Sequence, residues 1–79
     1  KDLNLPKGNI DNKIFKTNKG FSIRLKSKVL QKELFLFTKE KGHFSDNFFD
    51  LMPNETKIIT FTSESETLSD LKIKTLNSI

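Results

Sequence analysis

The chain has 79 residues, no cysteine, one histidine and a formal net charge of +4. That length leaves room for one domain with a marginal core, since so short a chain buries only roughly 60% of the surface its unfolded form exposes. The composition excludes disulfides and thiolate metal sites, starves a histidine-rich zinc site of ligands, and reduces nucleophile-plus-base chemistry to Ser, Lys and carboxylate variants.

Residues 1–12 contain Pro6, Gly8 and the asparagines Asn4, Asn9 and Asn12, with no clear periodicity. They read as a lead-in or linker, with room for a short edge strand near Ile10 or Ile14. The domain proper is then expected over 13–79. Lys13 to Thr17 is a weak strand, and Asn18-Lys19-Gly20 supplies turn chemistry, Gly20 being free to take positive φ. Phe21 to Ser27 alternates strictly: Phe21, Ile23 and Leu25 face one way, Ser22, Arg24 and Lys26 the other, the period of a half-buried strand. In Val29 to Thr38 a helical stripe of Leu30, Leu34 and Phe37 is one reading; the better one is a strand over Glu33 to Thr38, apolar on both faces, as in a central strand with one face in the core and the other partly covered. Lys39 to His43 is a polar loop. Lys57 to Thr62 is a strand whose inward set is either Ile59 and Phe61 or the opposite set with Ile58. Ser63 to Asp70 is an acidic, serine-rich connection, and Leu71 to Leu76 alternates again with Leu71 and Ile73 inward. Short strands at this spacing, with no helix and no repeat, predict an all-β antiparallel sandwich, with a small barrel as the second architecture.

Between the last two loops lies a dense segment, Phe44 to Asn54, that reads as a corner. Phe44, Phe48, Phe49 and Leu51 are candidate anchors between two sheets. Asp46, Asn47 and Asp50 are short polar side chains suited to bonding neighbouring backbone amides in Asx-type turns. Pro53 fixes φ at the first central position of a tight turn, and Asn54 tolerates the left-handed region that a type II turn requires next.

The stretch from Phe44 to Glu55 resembles the F-S-D-N-[YF]-F-D-L-L-P-G-E motif near the C-terminus of β-mannosidases of glycoside hydrolase family 2. Gly20 to Thr38 is similar to that family's glycine, alternating-strand and apolar-strand pattern, and Leu71 to Leu76 to its final strand, so the likeness covers most of the chain after Gly20. Only the corner motif is specific. Met52 stands where the family usually has Leu, which conserves volume. Asn54 stands for a usual Gly, which keeps access to positive φ. A tryptophan common in the family's central strand is absent, its space falling to Phe35 or Phe37. The resemblance implies an immunoglobulin-like β-sandwich that serves as a non-catalytic accessory domain. Its partners would be the other domains of the parent chain, whose catalytic carboxylates lie on a separate upstream (β/α)₈ barrel. None of the family's catalytic positions map here. The resemblance also implies a bacterial periplasmic or extracellular, or a lysosomal, parent. A first residue of Lys rather than Met fits a processed product or an excised segment, and no signal peptide opens the sequence.

The residues themselves point to no catalytic, cofactor or metal site. Glycoside hydrolysis needs two opposed carboxyl groups about 5–5.5 Å or 6.5–9.5 Å apart, and nothing marks Asp46 with Asp50, or Glu64 with Glu66, as such a pair. His43, Asp46 and Asp50 lack the regular spacing of a calcium loop. The alternative to a packing role is an autonomous binding module. Glycan platforms favour exposed Trp or Tyr, and the chain has neither, so direct glycan contact stays open but without its usual residues. Nucleic acid would need a Lys/Phe surface such as Phe35 to Lys39. Residues 1–41 carry eleven basic and four acidic side chains, and residues 42–79 three and six. A sandwich mixes the two halves in space, and with Arg24 the sole arginine, scattered Lys reads as a solvated surface. Neither nucleic acid nor membrane is therefore expected as a partner, no apolar run approaching the ~20 residues of a membrane span.

Overall fold

The computed structural model describes residues 10–68 and 70–76. Among them run β1 (Ile10–Thr17), β2 (Gly20–Ser27), β3 (Gln31–Phe37), β4 (His43–Phe44), β5 (Phe49–Leu51), β6 (Thr56–Thr62) and β7 (Lys72–Lys74), with no α-helix. They form a four-stranded sheet in the order β1-β2-β6-β4 and a three-stranded sheet in the order β5-β3-β7. Every pairing is antiparallel. The division into four and three strands is that of a constant-type immunoglobulin sandwich.

The strict alternation of β2 sets the core. Phe21, Ile23 and Leu25 are buried, and β6 lies beside β2 with Ile23 opposite Ile59 and Phe21 opposite Phe61. Directly opposed residues share a face, so the inward set of β6 is Ile59 and Phe61, while Ile58 is 56% exposed. Leu34, Leu36 and Leu51 close the core from the other sheet.

β1 starts at Ile10, so it takes in the last three residues of the 1–12 stretch whose composition suggests a lead-in, and it pairs along its full length with β2. Its central side chains are exposed on both faces, which explains its weak periodicity: an edge strand that overhangs the core gains little from alternation. Residues 1–9, including Pro6 and Gly8, lie outside the described residues. The β1–β2 turn needs a glycine on two counts. Gly20 has φ +150°, and a Cβ there would sit 2.0 Å from the Phe61 carbonyl oxygen.

β3 runs apolar on both faces, as the sequence predicts, but begins two residues earlier, at Gln31, and carries a bulge. Lys32 and Glu33 together oppose Asp50, and Glu33 takes φ +51°. Gln31 is 1% exposed and joins the two sheets: its Nε2 donates to Ser27 Oγ at 3.2 Å, and its Oε1 accepts from Thr75 Oγ1 at 3.2 Å. A buried polar chain of this kind is tolerated because each member is bonded.

Candidate functional site

The corner between β4 and β6 works mainly on β3. Asn47 accepts from Leu36 N at 2.7 Å through Oδ1 and donates to Leu36 O at 2.9 Å through Nδ2. In the β3–β5 register Leu34 opposes Phe49, so two residues along Leu36 would oppose residue 47. The carboxamide takes the place of a peptide group and extends the ladder where the β5 backbone has left it. Asp50 serves the bulge in the same way. Its Oδ1 accepts from Glu33 N at 3.0 Å and its Oδ2 pairs with Lys32 Nζ at 3.0 Å. Asn47 and Asp50, expected in local Asx turns, both reach across to the neighbouring strand. Only Asp46 bonds locally, accepting from Asn47 N at 2.8 Å, while its other oxygen meets Lys57 Nζ at 3.1 Å.

The apolar members separate. Leu51 is fully buried. Phe44 is half-buried with its ring 4.6 Å from that of Phe61. Phe49 is half-buried against the core, with Lys57 Nζ 5.0 Å from its ring centroid. Phe48 is not an anchor between the sheets: it is 67% exposed. Its φ of +55° breaks the strand alternation, so the Phe48 ring lies outside the sandwich, stacked on Phe35 at 5.2 Å. Pro53 and Asn54 form the central pair of a turn closed by a 3.1 Å bond from Glu55 N to Met52 O, and Asn54 has φ +63°, the positive value that the type II turn demands.

Asp46, Asp50 and Asp70 all sit below the ordinary aspartate value. For Asp46 the cause is first the Lys57 ammonium and then the Asn47 amide. For Asp50 it is the Glu33 amide and then Lys32. For Asp70 it is chiefly the Thr38 hydroxyl, helped by the Lys39 amide. A glycosidase general acid needs the opposite displacement. Among the described residues no three His, Asp or Glu side chains gather as a metal site. His43 lines an open polar cleft shared with Lys16, Lys19, Glu40 and Glu64, whereas Asp46 and Asp50 are each held by a lysine. Within that cleft Ser65 Oγ donates to Glu40 Oε1 at 2.8 Å, and Ser63 Oγ to Lys41 O at 2.6 Å. Interleaved cations and carboxylates leave the cleft without a dominant sign.

The missed features are the long-range ones: the Ser27–Gln31–Thr75 chain, the Glu33 bulge and the Asn47 bridge.

Two sheets, a closed polar corner and carboxyls committed to backbone and lysines define an immunoglobulin-like β-sandwich domain. The chain matches the family model Ig_mannosidase, an Ig-fold domain, over residues 5–79, and it belongs to that family. No curated protein matches it.

Proposed function

We propose that this domain is a structural accessory of a β-mannosidase-like glycoside hydrolase, packing on the other domains of its parent chain and taking no part in the chemistry. The supporting observation is the use made of the corner motif: Asn47 and Asp50 are spent on the domain's own β3 backbone, not aimed at a cavity. The downward displacement of Asp46 and Asp50 supports the same role, since carboxylates fixed as anions by lysines and amides are stabilising groups. The test is to delete this domain from the full-length polypeptide and assay an aryl β-mannoside. We expect kcat/KM per folded molecule to persist while the melting temperature falls. Loss of activity with unchanged melting would give the domain a direct role at the active site and sink the proposal.

A further inference from the structure

The turn between β5 and β6 carries a pattern that the corner does not use. Asn54, Glu55 and Thr56 read N-x-T with a middle residue other than proline, the acceptor pattern for an N-linked oligosaccharide. No other asparagine of the chain has Ser or Thr two residues on. Two features of the fold place this pattern where an oligosaccharide can be borne. Met52 to Thr56 are all exposed, an unbroken run around the tip of the turn. Neither the Asn54 carboxamide nor the Thr56 hydroxyl has a hydrogen bond among the described residues. The turn is held by the main chain instead: Asn54 N donates to Ser27 O at 2.7 Å, and Glu55 N to Met52 O at 3.1 Å.

The needs of the turn account for only part of the pattern. Asn54 has φ +63°, a conformation that glycine and asparagine both accept. That φ does not call for a hydroxyl at residue 56, where Thr56 opens β6 opposite Lys26. Asn47 makes the contrast. Its carboxamide is bound at both ends to the Leu36 backbone, and Phe48 and Phe49 follow it, so it is committed to the fold and lacks the hydroxyl. At Asn54 a bulky, solvated substituent displaces no bonded group and covers no buried one, which is what a surface acceptor site requires.

We infer that Asn54 is the acceptor for an N-linked glycan, a modification that goes beyond the accessory role and does not depend on it. The donor is an oligosaccharide carried on a polyprenyl diphosphate, met on a secretory route. A bond forms between Asn54 Nδ2 and the anomeric carbon of the oligosaccharide. The bond from that carbon to the diphosphate oxygen breaks, the diphosphate leaves with the electron pair, and a proton passes from Nδ2 to a base of the transferase. The Thr56 hydroxyl is the group by which the transferase selects this asparagine. Thr56 is paired with Lys26 in the folded sheet, so transfer precedes that pairing, and the folded domain then carries the glycan outward from the exposed tip. The same glycan keeps the β5–β6 turn out of any interdomain contact.

Peptide mass spectrometry of the full-length polypeptide, purified from the cells that naturally make it, tests this. Release with a peptide N-glycosidase in water enriched in heavy oxygen converts an occupied asparagine into a labelled aspartate. The tryptic peptide 42–57 contains both Asn54 and Asn47, so Asn47 serves as the internal control for spontaneous deamidation. Label is expected at residue 54 in most copies and not at residue 47. In the same polypeptide sent through a eukaryotic secretory pathway, Thr56→Ala should abolish the label and Thr56→Ser should retain it, both at an exposed position outside the core. An unlabelled residue 54 in the natural polypeptide overturns the inference, even where the heterologous protein is labelled. Label that survives Thr56→Ala, or that appears equally at residue 47, overturns it as well.

Discussion

Replacing Asn47 with alanine isolates the device that holds the corner to β3. The substitution strips Leu36 N and Leu36 O of their partners at 2.7 and 2.9 Å. A backbone group left buried without a partner costs about 1–3 kcal/mol. Leu36 itself is 1% exposed, but the corner lies at the sheet surface and water can reach one of the two groups, so the expected loss is about 2–3 kcal/mol. A domain of this length has about 4–12 kcal/mol in total, and each kcal/mol moves the midpoint by about 4–8 °C. Thermal unfolding followed by circular dichroism should therefore show a drop of about 10–20 °C. Asn47→Asp sharpens the test. It keeps the acceptor for Leu36 N but sets a carboxylate oxygen against Leu36 O. Protonation restores a donor, so the deficit relative to wild type at the same pH should shrink as the pH falls toward the ordinary aspartate value of about 4. A melting curve for Asn47→Ala within about two degrees of wild type would refute the bridging role, because water would then replace the carboxamide at no cost.

The remaining predictions concern pH, one glycine and two phenylalanines. Asp46, Asp50 and Asp70 have folded pKa values below the unfolded 3.8, so the unfolded chain binds more protons in that window. Their stabilisation is complete above 3.8 and is lost as the pH falls through the lower folded values. Urea midpoints should fall across that acid range, and less steeply in Asp50→Asn. Gly20→Ala must place its Cβ 2.0 Å from a backbone oxygen at φ +150°; a loss of about 2–4 kcal/mol is expected, and an unchanged midpoint in urea would mean that the hairpin relaxes freely. Phe61→Ala, at a fully buried position, should cost about 3–5 kcal/mol. Phe48→Ala, 67% exposed, should cost under about 1 kcal/mol in the isolated chain. Equal losses in chemical denaturation would put Phe48 back in the core.

The parts of the fold written in local patterns were legible. Strict alternation from Phe21 to Ser27 gave β2 its inward face, and the Pro53-Asn54 pair gave its turn, because both depend on a few adjacent residues. The family motif supplied the immunoglobulin-like class. What the sequence did not show is how two adjacent phenylalanines divide. Phe48 and Phe49 look equivalent in a list of anchors, and only the positive φ at Phe48, fixed by the Asn47 bridge on one side and the β5 pairing on the other, sends one ring out and keeps the other half-buried. The Glu33 bulge was hidden for a related reason. A bulge shows as a break in alternation, and β3 is apolar on both faces, so no alternation was present to break. Gln31 was silent because its partners, Ser27 and Thr75, lie on different strands or beyond them, and their coming together is a property of the folded pair of sheets.

The central claim is that the domain is a packed accessory of a larger enzyme, and calorimetry of the full-length polypeptide beside the 79-residue chain tests it most directly. Docking through a hydrophobic interdomain contact couples unfolding of the two partners. The account predicts that the domain melts together with its neighbour, at a higher temperature than the isolated chain. An independent transition inside the full-length protein, at the temperature of the isolated chain, would contradict it.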